Sequence, residues 1–105
     1  MAEKKYLTYL TKFKRNLSRY IFIDKMLFFG SRVNGKPRRW SDFDLIIVSN
    51  EFKGKKSFER PVGFHDCWTI DYPVDFLCYT PEEFKKLSKQ VTIVSEAVKH
   101  GIEIK

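Results

Sequence analysis

Apolar residues recur near the start of the chain with the spacing of a helix. Successive steps of four and three residues place them on a single stripe, which consists of Tyr6, Leu10, Phe13, Leu17 and Tyr20. The residues between them are largely lysine, arginine and threonine. The pattern therefore predicts an amphipathic helix over residues 3–20 with a basic outer face.

Three short apolar runs have the length and composition of β-strands. "KMLFF" (25–29) stops abruptly at Gly30-Ser31, and "VDFLCY" (74–79) follows Pro73. "DFDLIIVS" (42–49) is the richest in aliphatic and β-branched residues. We therefore predict that this last run is the central strand of the sheet.

Capping and stop signals mark the remaining elements. Ser31 opens a short helical turn that Gly35 and Pro37 would limit. "TPEEFKKL" begins a helix with Thr80 at the N-cap, Pro81 in the first position and Glu83 completing a capping box.

The C-terminal stretch reads as a second helix followed by a short strand. The expected apolar face of this helix consists of Val91, Val94, Ala97 and Val98, with Gly101 as the stop and "IEIK" as the strand. Between the second and third strands, residues 51–61 read as a solvated loop, and residues 62–73 as either a short helix or irregular structure. Alternating helices and strands predict one α/β (α+β) domain over residues 1–105, with helices packed against three or four strands.

Composition narrows the class of protein. No apolar run approaches the roughly 18 residues of a membrane span, and charges interrupt the N-terminal apolar pairs, so we expect a cytoplasmic protein without a membrane segment. Cys67 and Cys78 form no C-x-x-C pair and read as buried free thiols, and the two Cys and two His lack the paired spacing of a zinc site. The net charge of +7 would attract phosphate, although on the first helix it also fits a solvated face.

Two carboxylates lie one residue apart at the start of the central strand. Asp42 and Asp44 point to the same side of a strand, so they can converge on one site. Asp75 begins the third strand and can join them if the two strands are neighbours. Like charges this close are costly unless cations neutralise them, and hard divalent cations prefer oxygen ligands. The spacing suits metal-assisted phosphoryl or nucleotidyl transfer, although Asp-x-Asp alone also occurs at ordinary turns.

Gly30-Ser31 adds a candidate phosphate site. Glycine allows close approach of a ligand to the backbone, and the N–H groups that open the next turn can bind an anion. Taken alone, the pair also fits an ordinary strand-to-helix turn.

Together, "GSRVNGKPRRWSDFDL" (30–45) and "VDFL" (74–77) resemble the minimal nucleotidyltransferase family of the DNA polymerase β-like superfamily. The resemblance implies a mixed sheet flanked by helices, metal ligands and catalytic carboxylates at Asp42, Asp44 and Asp75, and nucleotide binding by Gly30, Ser31 and Arg32. Many relatives have a second arginine where this chain has Asn34, and often an acidic residue near Lys36.

The resemblance also implies a reaction and a partner. A two-metal Mg²⁺ site would transfer AMP from ATP to a hydroxyl on a protein or an RNA end, and the partner would be a helical HEPN-type toxin for which this chain is the antitoxin. A second hypothesis is a non-catalytic nucleotide-binding antitoxin that masks its partner, and a third is an RNA-binding module driven by the basic surface. A homo-oligomer is compatible with all three.

Overall fold

A computed structural model describes residues 4–34 and 42–105 of the chain. Its helices are α1 (Lys4–Leu17), α2 (Ser31–Asn34), α3 (Pro81–Ser88) and α4 (Ile93–His100), and its strands are β1 (Lys25–Phe29), β2 (Phe43–Val48), β3 (Val74–Tyr79) and β4 (Ile102–Glu103). Three short 3₁₀ turns, at Asn50–Phe52, Ser57–Glu59 and Phe64–Cys67, lie between β2 and β3.

The four strands form one mixed sheet in the order β3-β2-β1-β4. β1 pairs antiparallel with β2 and β4, whereas β2 and β3 run parallel. The predicted central position of β2 is confirmed, and the chain has the predicted α+β architecture. β2 and β3 are neighbours, which meets the condition for Asp75 to join the other two aspartates. Because β2 and β3 run in the same direction, both begin at the edge of the sheet where β1 ends.

Helices cover both faces of the sheet. The apolar stripe of α1 packs on one face against a cluster that includes Met26, Phe28, Phe43 and Leu45. The opposite face packs through Leu27, Phe29, Ile46 and Val48 against α3 and α4. Because successive side chains of a strand point to opposite faces of the sheet, the packing of the apolar residues also determines the face on which each polar residue at the strand ends lies.

Three residues predicted to lie on apolar helix faces are exposed instead, namely Tyr20, Val91 and Val98. α1 ends at Leu17, where the chain turns, so Tyr20 leaves the apolar stripe and is 75% exposed. Val91 is fully exposed because α4 begins only after Thr92, whose side chain accepts a hydrogen bond from the Ser95 N–H as an N-cap. Val98 is on the helix but half exposed.

The segment predicted to be a solvated loop carries a buried charge. Arg60 donates hydrogen bonds to the Lys55 carbonyl, the Cys78 carbonyl and the Glu83 carboxylate. Glu83 also accepts from the Thr80 N–H, so the predicted capping box of α3 is confirmed and is joined to this arginine. The two cysteines are buried and free, as predicted.

None of the described helices is long and apolar enough to cross a membrane. The predicted roles of Gly35 and Pro37 in ending α2 concern positions outside the described residues.

Candidate active site

Two of the predicted carboxylates lie side by side at the edge of the sheet where β1 ends. Asp44 on β2 is paired in register with Asp75 on β3 and, on its other side, with Phe29 on β1. Both aspartates share their strand face with residues that pack toward α3 and α4, namely Ile46 on β2 and Leu77 on β3. The parallel pairing therefore brings together two acidic residues that are far apart in the sequence.

Burial and the charges of the other two aspartates act on Asp44. Burial raises the pKa of the Asp44 carboxyl above its ordinary value, and the nearby charges of Asp75 and Asp42 raise it further. Asp42 is an exposed residue immediately before β2. Asp44 is thus partly withdrawn from water, while its two acidic neighbours remain accessible.

Gly30 provides the space that the Asp44 carboxylate occupies. Its backbone is in the left-handed region, with φ of +92°, and a Cβ at this position would overlap Asp44 Oδ2. Any side chain at position 30 would therefore be strained and would also displace the carboxylate. The glycine predicted for phosphate binding is required here by its contact with the acidic residue.

Ser31 and Arg32 follow Gly30 but point to different surroundings. Ser31 is exposed as the first residue of α2, beside the edge of the sheet that carries the aspartates. Arg32 is 5% exposed, and its guanidinium lies over the rings of Tyr72, Phe43 and Tyr6 at 4.3, 4.9 and 5.4 Å from their centroids.

Because Phe43 and Asp44 are consecutive on β2, their side chains lie on opposite faces of the sheet. The Arg32 guanidinium is with Phe43, on the α1 face, whereas the carboxylates are on the other face. The structure therefore brings Asp42, Asp44, Asp75, Gly30 and Ser31 to one edge of the sheet and directs the guanidinium of Arg32 away from it.

Three aromatic rings surround the Arg32 guanidinium. We call Tyr6, Phe43 and Tyr72 the aromatic cage. From the sequence, Tyr6 belongs to the apolar stripe of α1, and Tyr72 lies in the ambiguous segment before β3. Only the position of Phe43, between the two aspartates, offered a sequence signal.

The described residues contain no group of three histidine, cysteine or acidic side chains arranged as a ready metal site. The donor set nevertheless suits Mg²⁺, because it consists of carboxylate oxygens whose mutual repulsion a divalent cation would relieve. Mg²⁺ commonly takes only one or two protein carboxylates and completes its coordination with water and substrate phosphates.

Known proteins that this chain resembles are nucleotidyltransferases. The nucleotidyltransferase domain family matches residues 9–103. The Haemophilus influenzae protein "Probable protein adenylyltransferase MntA" is 32% identical over 79 residues, which cover 71% of this chain and 68% of that protein. A crystal structure from Sulfolobus solfataricus, of a protein assigned as a nucleotidyltransferase, superposes with a TM-score of 0.62 at 20% identity, over 78% of this chain and 73% of that one. At that identity the superposition shows a shared fold alone.

The family match spans nearly the whole chain, from α1 to β4, and includes Gly30, Ser31 and all three aspartates. The sheet edge that carries these residues is thus part of the matched domain. The chain belongs to the nucleotidyltransferase domain family, as a minimal nucleotidyltransferase.

Proposed function

We propose that this chain is a Mg²⁺-dependent adenylyltransferase that transfers AMP from ATP to a hydroxyl group of a partner protein or an RNA end. The observation that carries the proposal is the pairing of Asp44 with Asp75 beside Gly30, with Asp42 close enough to raise the pKa of the Asp44 carboxyl. An accessible pair of neighbouring carboxylates next to a side-chain-free backbone position suits the binding of a metal with a triphosphate.

Asp42, Asp44 and Asp75 would hold the metal. When bound, Mg²⁺ supplies neutralisation of the phosphate charge and makes the acceptor hydroxyl easier to deprotonate. The acidic cluster favours occupation by a cation, because each carboxylate otherwise faces the charge of the others.

The remaining chemistry falls to residues of the chain. The backbone at Gly30 and the exposed Ser31 would orient the triphosphate, and Asp75 would accept the proton of the acceptor hydroxyl. A bond forms between the acceptor oxygen and the α-phosphorus, the bond from that phosphorus to the β-phosphate bridging oxygen breaks, and pyrophosphate leaves. The proton passes to Asp75 and the electron pair of the broken bond leaves with pyrophosphate, so the reaction needs no further reactant.

The Haemophilus influenzae relative is named as a protein adenylyltransferase, which supports a protein hydroxyl as the first acceptor to test. The resemblance to minimal nucleotidyltransferases adds a HEPN-type helical protein as the partner that would carry it, with this chain as its antitoxin. A tyrosine hydroxyl on that partner is the acceptor we favour over an RNA end.

The test uses ATP labelled at the α-phosphate, Mg²⁺ and a HEPN-type protein encoded beside this chain. The wild-type chain should label the partner, and Asp42→Asn/Asp44→Asn should lose the transfer by several orders of magnitude, because metal binding fails while side-chain volume is kept. Asp66→Asn, which neutralises an exposed carboxylate in the 3₁₀ turn before β3, serves as the matched control and should transfer normally.

Label transfer to the partner by the wild-type chain, but not by the double variant, supports the proposed adenylyltransferase activity. A folded double variant that still neutralises the partner fully, together with no label transfer by the wild type, would instead establish the masking antitoxin. Label that appears only on RNA would identify the alternative acceptor and refute the protein acceptor.

A further inference from the structure

The guanidinium of Arg32 lies where three segments of the chain meet. It stacks at 4.3 Å from the ring of Tyr72, three residues before Asp75, and at 4.9 Å from the ring of Phe43, between Asp42 and Asp44. Arg32 itself follows Gly30-Ser31 directly. The buried guanidinium therefore links the three segments that carry predicted site residues: it extends from the turn at Gly30-Ser31 and lies against one ring in each of the other two segments.

The aromatic cage is itself held firmly. Tyr6 packs edge-on against Phe43, with 5.1 Å between ring centroids, and its hydroxyl accepts a hydrogen bond from Arg32 Nη1 at 3.1 Å. The carbonyl of Tyr72 accepts a 2.8 Å hydrogen bond from the indole N–H of Trp68. These contacts fix the rings against the α1 face, so the position of the guanidinium is fixed as well.

α2 depends on these contacts for its place in the fold. It has only four residues, and Arg32 and Val33 are its buried side chains among those described, both on the α1 side of the sheet. A helix this short has little stability of its own and is held by its tertiary contacts. Loss of the Arg32 contacts would free the turn in which Gly30 meets the Asp44 carboxylate.

We propose that Arg32 is a positioning residue, which clamps the Gly30-Ser31 turn to the aromatic cage and so holds the phosphate-binding backbone in register with Asp44 and Asp75. It acts from the face of the sheet opposite the carboxylates, through the turn, rather than by contact with the nucleotide. This inference rests on the proposed function for its catalytic consequence, whereas the clamp itself does not depend on any bound molecule.

The cage makes a testable distinction between positioning and direct binding. If Arg32 contacts phosphate, substitutions in the cage that spare the arginine should have little effect on nucleotide binding. If Arg32 is a clamp, Arg32→Met and Tyr72→Leu should cause similar losses, and the double variant should be hardly worse than either, because both remove the same interaction. Tyr6→Phe removes only the hydroxyl acceptor and should give a smaller loss in the same direction.

The experiment measures two quantities for each variant: amide hydrogen exchange over residues 30–34 without nucleotide, and the Kd for ATP with Mg²⁺. Arg32→Met and Tyr72→Leu should speed exchange in this segment. Because the Gly30-Ser31 turn is then no longer held beside the aspartates, both variants should also raise the Kd for ATP by about 10- to 100-fold. Arg32→Lys keeps a cation over the rings and should recover part of the loss.

Arg60→Met is the matched control, because Arg60 is also buried but lies against Phe52 and Glu83. It should lower the Tm without changing exchange over residues 30–34 or the Kd for ATP. The clamp is refuted if Arg32→Met weakens ATP binding while Tyr72→Leu and the exchange rates stay at wild-type values. Failure of the wild-type chain to bind ATP would refute the proposed function, whereas unchanged exchange in Arg32→Met and Tyr72→Leu would refute the clamp.

Discussion

The carboxylate of Asp44 occupies the space that a side chain at Gly30 would need. Gly30 directly follows β1 and Asp44 lies on β2, so their contact joins the end of β1 to the beginning of β2. Gly63 has nearly the same backbone conformation, with φ of +90° against +92°, but a Cβ there would meet nothing within 4 Å. A comparison of Gly30 with Gly63 therefore separates the cost of a left-handed backbone from the cost of steric overlap.

Gly30→Ala should therefore cost more than Gly63→Ala. Left-handed backbone alone costs an alanine about 1 kcal/mol, which is the loss we expect for Gly63→Ala in urea unfolding. Gly30→Ala adds the overlap with Asp44 and should also weaken ATP binding with Mg²⁺, whereas Gly63→Ala should bind ATP normally. Equal losses of stability and unchanged ATP binding in both variants would contradict the contact.

Asp44→Asn should stabilise the metal-free chain at neutral pH. Because burial and the charges of Asp75 and Asp42 raise the pKa of the Asp44 carboxyl above its ordinary value of 3.8, ionisation costs the folded state more than the unfolded state. That cost is absent below pH 3.8 and complete above the raised pKa. In the presence of a chelator, the Tm of Asp44→Asn should exceed that of the wild type at pH 7, and the difference should shrink toward zero below pH 3.8. A difference that does not vary with pH would contradict the assignment.

The Arg60–Glu83 pair should show the opposite dependence on pH. The hydrogen bonds from Arg60 lower the pKa of the Glu83 carboxyl below its ordinary value of 4.5, so the pair stabilises the fold above pH 4.5 and is lost as the pH falls through the lowered value. Glu83→Gln should reduce the free energy of unfolding at pH 7 by up to about 1 kcal/mol, since 44% of the Glu83 side chain is exposed to water and the pair is partly screened. Urea unfolding at pH 7 and pH 3 tests this, and an equal loss at both values would argue against the ion pair.

Cys78 should be unreactive in the folded chain at neutral pH. Burial raises the pKa of its thiol to about 12, although the charge of Arg60 acts in the opposite direction. Since the thiolate is the reactive form, iodoacetamide at pH 8 should modify Cys78 only after unfolding in guanidinium chloride. Peptide mapping by mass spectrometry measures the modification and distinguishes Cys78 from the second free cysteine, Cys67. Rapid labelling of Cys78 under native conditions would contradict the burial.

The parts of the fold that followed from sequence are those with strong local signals. β1 and β3 have the predicted bounds, and α3 begins at Pro81 after the N-cap at Thr80, as its capping box indicated. Val91 continues the apolar spacing of α4 but precedes its N-cap at Thr92, so it lies outside the helix and is exposed. Tyr20 fits the helical spacing of the apolar stripe, but α1 ends at Leu17, so Tyr20 is not on the helix.

The sequence supplies the candidate residues of the site but not their arrangement. Register between β2 and β3 pairs Asp44 with Asp75, and no local pattern encodes that register. The burial of Arg32 also depends on rings from three separate segments. The resemblance implies nucleotide binding by Arg32, whereas its stacking on these rings follows from no local pattern.

The parallel pairing of β2 with β3 also has a consequence for how the chain folds. β1 and β2 can pair early as antiparallel neighbours, but the parallel partner must return after a crossover of about 25 residues, and such nonlocal pairing forms slowly because loop closure costs entropy first. Asp44 meets Asp75 only once that crossover is complete. We therefore expect the acidic pair to assemble late in folding, so that a partly folded chain emerging from the ribosome has no formed active site until β3 has docked.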